Sequence, residues 1–349
     1  MKQFERFPKQ AHWRCPSNIA IVKYWGKRGQ QLPCNSSLSM TLTNAYTETE
    51  ILITDDPHEE FDLDFYFEGQ RNEKFGQRVR QYIANHIECF PTLQGRSVTI
   101  RTSNSFPHSA GIASSASAFG SIALCLVDIE RSDEQPMDTD FYRRASSLAR
   151  LGSGSACRSM YPMYSVWGKN EVVPNSHDEF ALPIESVHEV FQTMRNAIIV
   201  VDDQPKKVSS SAGHALMNNH PFATQRFDQA NQRTARLVQI LKQGNIDDFV
   251  VLTESEALTL HAMMMTSRDY YLLLKPPTLS VIEAIVQFRQ DQKIPVCYTM
   301  DAGPNVHLLY PDSHKVAVEG FIHSELKGLS KSIHFDHIGQ GPRKVNELK

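Results

Sequence analysis

The chain has 349 residues, 41% of them hydrophobic and 21% charged, with a formal net charge of −3. That length exceeds what one core usually supports, so two domains are expected, and the near-neutral charge gives no global attraction to nucleic acid or to an anionic membrane. No apolar run approaches the roughly 20 residues that span a bilayer, and "MKQFERFPKQAHWRC" holds no signal-peptide core.

In chain order, "NIAIVKYWGKRG" (18–29) predicts a strand that delivers Lys23, Tyr24, Lys27 and Arg28 into a turn at Gly26. Such a group of cations with a phenol suits an anion, although a basic strand end facing water is the plainer reading. Residues 46–54 and 61–67 alternate apolar and polar side chains, which predicts half-buried strands. Phe75, Val79, Ile83 and Ile87 fall four apart, on one face of a helix. "SVTIRTSN" predicts a strand ending at Asn104.

"SFPHSAGIASSASAFG" (105–120) then runs into a helical pattern continued by Phe119, Ile122, Ala123 and Leu126. A helix start presents unpaired N–H groups and partial positive charge. Small residues let a phosphate reach that backbone, and Ser114, Ser115 and Ser117 add hydroxyl donors. The stretch matches neither Gly-x-x-x-x-Gly-Lys-Ser/Thr nor Gly-x-Gly-x-x-Gly. A helix start packed closely through Ala and Ser explains it equally well.

"DTDFYRRASSLAR" predicts a helix capped by Asp138 or Thr139. "GSGSACRS" (152–159) reads as a loop around Arg158, whose guanidinium can hold a carboxylate or phosphate through two parallel hydrogen bonds. A surface turn with a solvated Arg fits that stretch as well, and the order fails the Gly-x-Ser-x-Gly nucleophile elbow. "MYSVW" is strand-like, and "NEVVPNSHDEFALPIES" suits a connection.

Near residue 190 the pattern restarts, giving domains 1–190 and 191–349. "AIIVV" is a buried strand, and helical patterns cover 222–241, 249–264 and "TLSVIEAIVQFRQ". "QPKKVSSSAG" (204–213) is either a second phosphate-contacting loop or a mobile surface loop. "VCYTM" and "VHLLY" predict paired strands around "DAGPN", which places Asp301 at a strand end. Strands and helices mix in both halves, so the fold class is α+β. Cys15, Cys34, Cys89, Cys125, Cys157 and Cys297 form no Cys-x-x-Cys pair, which suits reduced thiols in a cytosolic protein.

One acid, several cations and small-residue loops, without a metal-ligand cluster, suit a highly phosphorylated substrate pair. "SNIAIVKYWGKR", "NSSLSMTL", "FPHSAGIASSASAFG", "GSGSACRS", "KKVSSSAG" and "DAGPN" occur in the order found in mevalonate diphosphate decarboxylases, and the chain resembles that family of the GHMP kinase superfamily. The resemblance implies a two-domain GHMP fold with the site in the cleft between domains. It implies ATP-dependent decarboxylation of (R)-mevalonate 5-diphosphate by way of 3-hydroxyl phosphorylation, with Mg²⁺, in a cytoplasmic homodimer.

By the same resemblance, Gly111, Ala113, Ser114, Ser115, Lys206 and Ser210 bind ATP. Tyr24, Lys27, Ser153, Ser155 and Arg158 hold substrate, and Asp301 with Arg158 is catalytic. The chain departs from the family at Ser211, where some bacterial relatives place an Arg, and at His214, where Met is usual. A 3-kinase or monophosphate decarboxylase of the same superfamily, and a nucleotide sensor without turnover, are the competing expectations.

Overall fold

The computed structural model describes residues 7–59, 61–106, 114–132, 135–204 and 210–345. Strand β1 (Lys9–Val22) pairs antiparallel with β2 (Ser37–Thr54). β1 alternates between buried and less buried residues up to Arg14 and is buried on both faces from Cys15; β2 is fully buried from Ser37 to Leu42 and alternates from Ala45. The doubly buried ends face each other, with Asn18 opposite Thr41 and Val22 opposite Leu38. Alternation therefore marks where one sheet face meets water, and its loss marks where both faces are covered.

β3 (Asp62–Phe67) runs parallel to β4 (Ser97–Asn104), which pairs antiparallel with β2. The crossover contains α1 (Glu73–Ala84), whose Asn72 cap accepts from the Phe75 N–H. The helix stops short of Ile87 because the Asn85 N–H closes the last turn on Gln81 and Ile83, and Ile87 begins a separate tight turn. α2 (Ser114–Glu130) is buried on nearly every side and crosses the sheet. α3 (Thr139–Gly152) is capped by Asp138, which accepts from the Asp140 and Phe141 N–H groups.

The stretch expected as a loop after α3 is a 3₁₀ turn, Gly154–Met160, separated from the helix by the extended Ser153. β5 (Tyr164–Trp167) joins β2, and β6 (Ala181–Pro183) joins β5 from within the stretch expected as a connection.

In the second half, β7 (Met194–Val200) lies between β9 (Val306–Pro311) and β10 (Ser332–His337), with β8 (Cys297–Thr299) beyond β9. Five helices accompany this sheet among the described residues: α4 (Ser210–Ala215), α5 (Ala223–Gln243), α6 (Ile246–Thr266), α7 (Pro276–Gln292) and α8 (Lys315–Phe321). The chain end returns to the first sheet, where Arg343 and Lys344 pair with Arg14 and Trp13.

One apolar cluster bridges the halves. Ile19, Leu38 and Met40 of the first sheet pack in the same core as Ile198, Leu237 and Phe249 of the second half. Full burial of each such side chain contributes about 1.5–3 kcal/mol. Among the described residues, no helix is long and apolar enough to cross a membrane.

Candidate active site

β1 hands its last residues to the turn at Gly26, whose φ of +95° favours glycine. Lys23 is 2% exposed and folds back into the interior. Its Nζ donates to the Ala20 carbonyl at 2.6 Å and to Asp301 Oδ1 at 3.1 Å. Burial pulls the Lys23 pKa down, against the opposing pull of Asp301 and then Glu256. Its backbone N–H donates to Glu256 Oε2 at 2.9 Å.

Glu256 is fully buried on α6 and also accepts from Arg226 Nη1 and Nη2 at 3.0 and 2.7 Å and from Arg233 Nη1 at 2.7 Å. Burial alone would raise its pKa, but Arg226 and Arg233 outweigh that and leave it lowered.

Asp301 follows β8, as the "DAGPN" reading expects, and keeps its side chain 29% exposed. Its carbonyl accepts from His261 Nε2 at 3.2 Å and from the Gly303 N–H at 2.7 Å, which holds the carboxylate against the end of β1.

Arg158 sits in the 3₁₀ turn and is 2% exposed. Its Nε donates to Ser39 Oγ at 3.1 Å and its Nη1 to Ser37 Oγ at 2.7 Å. These serines lie two apart on β2 and so share one face. Nη2 has no partner among the described residues. Burial lowers the Arg158 pKa, and the Asp301 carboxylate is among the groups close enough to oppose it. Ser39, which holds Arg158, lies opposite Ala20, whose carbonyl accepts from the Lys23 that pairs with Asp301, so β1 and β2 link residues 158 and 301 from opposite halves of the chain.

Tyr24 packs edge-on against Trp167, with ring centroids 4.6 Å apart. Its Oη is buried and has no partner among the described residues. A Cβ at Gly154 would lie 2.9 Å from that oxygen, so glycine lets the phenol rest on the turn. Burial pushes the Tyr24 pKa up, which keeps the phenol a neutral donor.

Lys27 is half-buried and its Nζ donates to Gln31 Oε1 at 3.1 Å. Ser153 Oγ lies 3.3 Å from Ser115 Oγ, which joins the Arg158 turn to the start of α2. Ser155 is half-buried, and its carbonyl accepts from Asn18 Nδ2 at 3.2 Å. Ser114 is half-buried in the first turn of α2.

Two expectations are corrected. Ser117 lies on the sheet side of α2, fully buried, and bonds Thr47 Oγ1 at 2.7 Å and the Ser114 carbonyl at 3.2 Å, so its hydroxyl is spent in the core. Arg28 is exposed and pairs with Asp178 at 2.6 Å. Gly111, Ala113 and Lys206 lie outside the described residues; Ser210 opens α4. Beside the α2 start, Phe65, Phe67, Phe75 and Phe119 line an apolar cavity edged by Thr102 and Asn104.

The family model described as the diphosphomevalonate decarboxylase-like N-terminal domain matches residues 15–181, and that described as the mevalonate 5-diphosphate decarboxylase C-terminal domain matches 196–345. The chain belongs to the mevalonate diphosphate decarboxylase family. It is 30% identical over 325 residues to the diphosphomevalonate decarboxylase of Ganoderma lucidum, covering 87% of this chain and 79% of that one. Identity to the human diphosphomevalonate decarboxylase is 30% over 312 residues, covering 83% and 74% of the two chains.

Among solved structures, mevalonate diphosphate decarboxylase from Staphylococcus aureus superposes with a TM-score of 0.84 at 26% identity, over 97% of this chain and 99% of that one. MDDEF in complex with MVAPP, AMPPCP and magnesium superposes with a TM-score of 0.81 at 26% identity, over 97% and 100%. The expected two-domain α+β architecture of GHMP type is thereby borne out.

Proposed function

We propose that the chain converts ATP and (R)-mevalonate 5-diphosphate to ADP, phosphate, carbon dioxide and isopentenyl diphosphate. The observation that carries this reading is that the Lys23–Asp301 pair at the end of β1 and the serines that hold Arg158 on β2 lie on adjacent paired strands. Phosphoryl transfer to a tertiary hydroxyl needs a positioned acceptor for its proton. Asp301 fills that role, held 3.1 Å from the buried Lys23 Nζ.

The C3 phosphate then leaves with its bonding electrons. The C1–C2 bond breaks, its electron pair forms the C2–C3 double bond, and carbon dioxide departs. Arg158, fixed by Ser37 and Ser39, presents Nη2 to the substrate carboxylate and sets the angle of the bond that breaks. Tyr24, Lys27, Ser153 and Ser155 hold the remaining polar groups of the substrate. The aromatic cavity beside α2 suits the flat base of ATP, with Ser114 and Ser115 near its phosphates. Gly111, Ala113, Lys206 and Ser210 complete that assignment.

The described residues hold no cluster of three His, Cys, Asp or Glu side chains, which suits a Mg²⁺ carried on phosphates with few protein ligands. The hydroxyls of Ser114 and Ser115 would be its protein donors. When bound, the ion offsets charge on the transferred phosphoryl group. A division near residue 190, a homodimer and a cytosolic location belong to the same proposal.

Incubation with ATP and mevalonate 5-diphosphate tests the reading. ADP and carbon dioxide are expected in equal amounts; ADP without carbon dioxide identifies a 3-kinase, and neither product identifies a nucleotide sensor.

A further inference from the structure

His214 belongs to α4 of the second half, is 8% exposed, and has no part in the reaction above. Its ring lies against two rings of the first half, Tyr24 at 4.2 Å and Trp25 at 4.8 Å between centroids. Its Nδ1 is 3.0 Å from the Gly26 backbone nitrogen. A backbone N–H can only donate, so Nδ1 is the acceptor and a neutral ring carries its proton on Nε2. Burial, helped by the charges of Lys27 and Arg158, lowers the His214 pKa to about 3, so the ring is neutral near pH 7.

No hydrogen bond to Nε2 is found among the described residues. Beside it, Tyr24 Oη is a second donor with no acceptor among the described residues. Two uncommitted donors on adjoining rings beside the Lys27 turn form a place for an anion. The Gly26 N–H that donates to His214 belongs to the residue just before Lys27, so the imidazole sits at the Lys27 end of the turn.

We propose that His214 is a specificity-determining residue: its Nε2–H donates to a phosphoryl oxygen at the 5-end of the substrate. This rests on the reading that the cleft binds a phosphorylated mevalonate. The donor adds no positive charge, so it discriminates by hydrogen-bond geometry. A substrate lacking the phosphoryl group leaves both the imidazole and the Tyr24 hydroxyl unpaired in a buried place.

The test compares the parent with His214→Met, which keeps apolar bulk between Tyr24 and Trp25, and with His214→Gln, which returns an N–H at similar reach. Calorimetry with inorganic diphosphate is the binding readout, alongside KM for mevalonate 5-diphosphate, KM for ATP, and kcat. His214→Met is expected to weaken diphosphate binding and raise the substrate KM by about tenfold or more, because a hydrogen bond to a charged group is lost. The ATP KM is expected to stay within about twofold, and His214→Gln to recover most of the loss.

In the parent protein, the ¹⁵N resonance of His214 Nε2 is expected to move when diphosphate is added; this reading survives even where the Met variant fails to fold. An unmoved resonance, or diphosphate affinity unchanged in His214→Met, overturns the assignment. Diphosphate binding that depends on His214 without carbon dioxide release upholds the donor and sinks the proposed reaction. Carbon dioxide release with affinity indifferent to His214 does the reverse.

Discussion

Replacing Asp301 by asparagine removes one negative charge 3.1 Å from the buried Lys23 ammonium while hardly changing side-chain volume. At an effective dielectric of about 20, unit charges at that distance attract by about 5 kcal/mol. Solvent on the open side of Asp301, which is 29% exposed, screens part of this. The Asn Oδ1 still accepts from Lys23, so the local geometry persists and the proton acceptor is lost. Positioned acid–base groups contribute about 10²–10⁴ in rate.

With its charge partner also gone from Lys23, Asp301→Asn is expected at the upper end of that range, a fall in kcat of about 10³–10⁴. The assay is carbon dioxide trapping with parallel ADP measurement, and nucleotide affinity is read separately by calorimetry. ATP binding within about threefold of the parent is expected, since the α2 start is untouched. A kcat within about tenfold of the parent refutes the role of Asp301. A parallel loss of ATP affinity assigns the effect to folding instead.

Arg158→Lys is expected to lower kcat/KM by about 10² or more, since one ammonium cannot satisfy Ser37 and Ser39 and still present an edge to a carboxylate. A loss of only a fewfold, measured by steady-state kinetics, counts against the clamp. Glu256→Gln leaves Arg226 and Arg233 uncompensated around a fully buried position and is expected to cost about 3–5 kcal/mol. Urea unfolding checks this, and a cost below about 1 kcal/mol contradicts the network described here.

Burial lowers His214 to about 3 and His261 and His307 to about 4, from the usual 6.5. The unfolded chain therefore binds more protons than the folded one between about pH 4 and 6.5. Their contribution is complete above pH 6.5 and is lost as pH falls, by up to about 1.4 kcal/mol per pH unit for each histidine. Tm measured against pH is expected to decline through this window; a flat profile from pH 6.5 to 5 contradicts it.

Alternation in residues 46–54 and four-residue spacing in α1 reported local exposure faithfully, because each pattern depends on one covered face. The tight turn at Gly154–Met160 was not legible, because its Gly and Ser content favours a loop and only tertiary packing, chiefly against α3 and α2, buries it. β6 was hidden by its brevity. Asp301 and Arg158 were legible as candidates through their small-residue surroundings.

Lys23 read as one of several cations at a strand end, and nothing local tied it to a carboxylate 278 positions away. Glu256 shares its helix with other acids, and only the tertiary structure separates it from the exposed ones. Ser37 and Ser39 could have been found, since residues two apart on a strand share a face, but their partner could not.

The apolar seam between the two halves has a consequence for recombination. Ile19, Leu38 and Met40 share one buried apolar cluster with Ile198, Leu237 and Phe249. A chimera that joins residues 1–190 of this chain to the remainder of a homologue brings together methyl groups never selected to interlock. The resulting voids and clashes would tilt one half against the other and spoil the meeting of Lys23 with Asp301. Exchange among homologues is therefore constrained to carry both sides of the seam together.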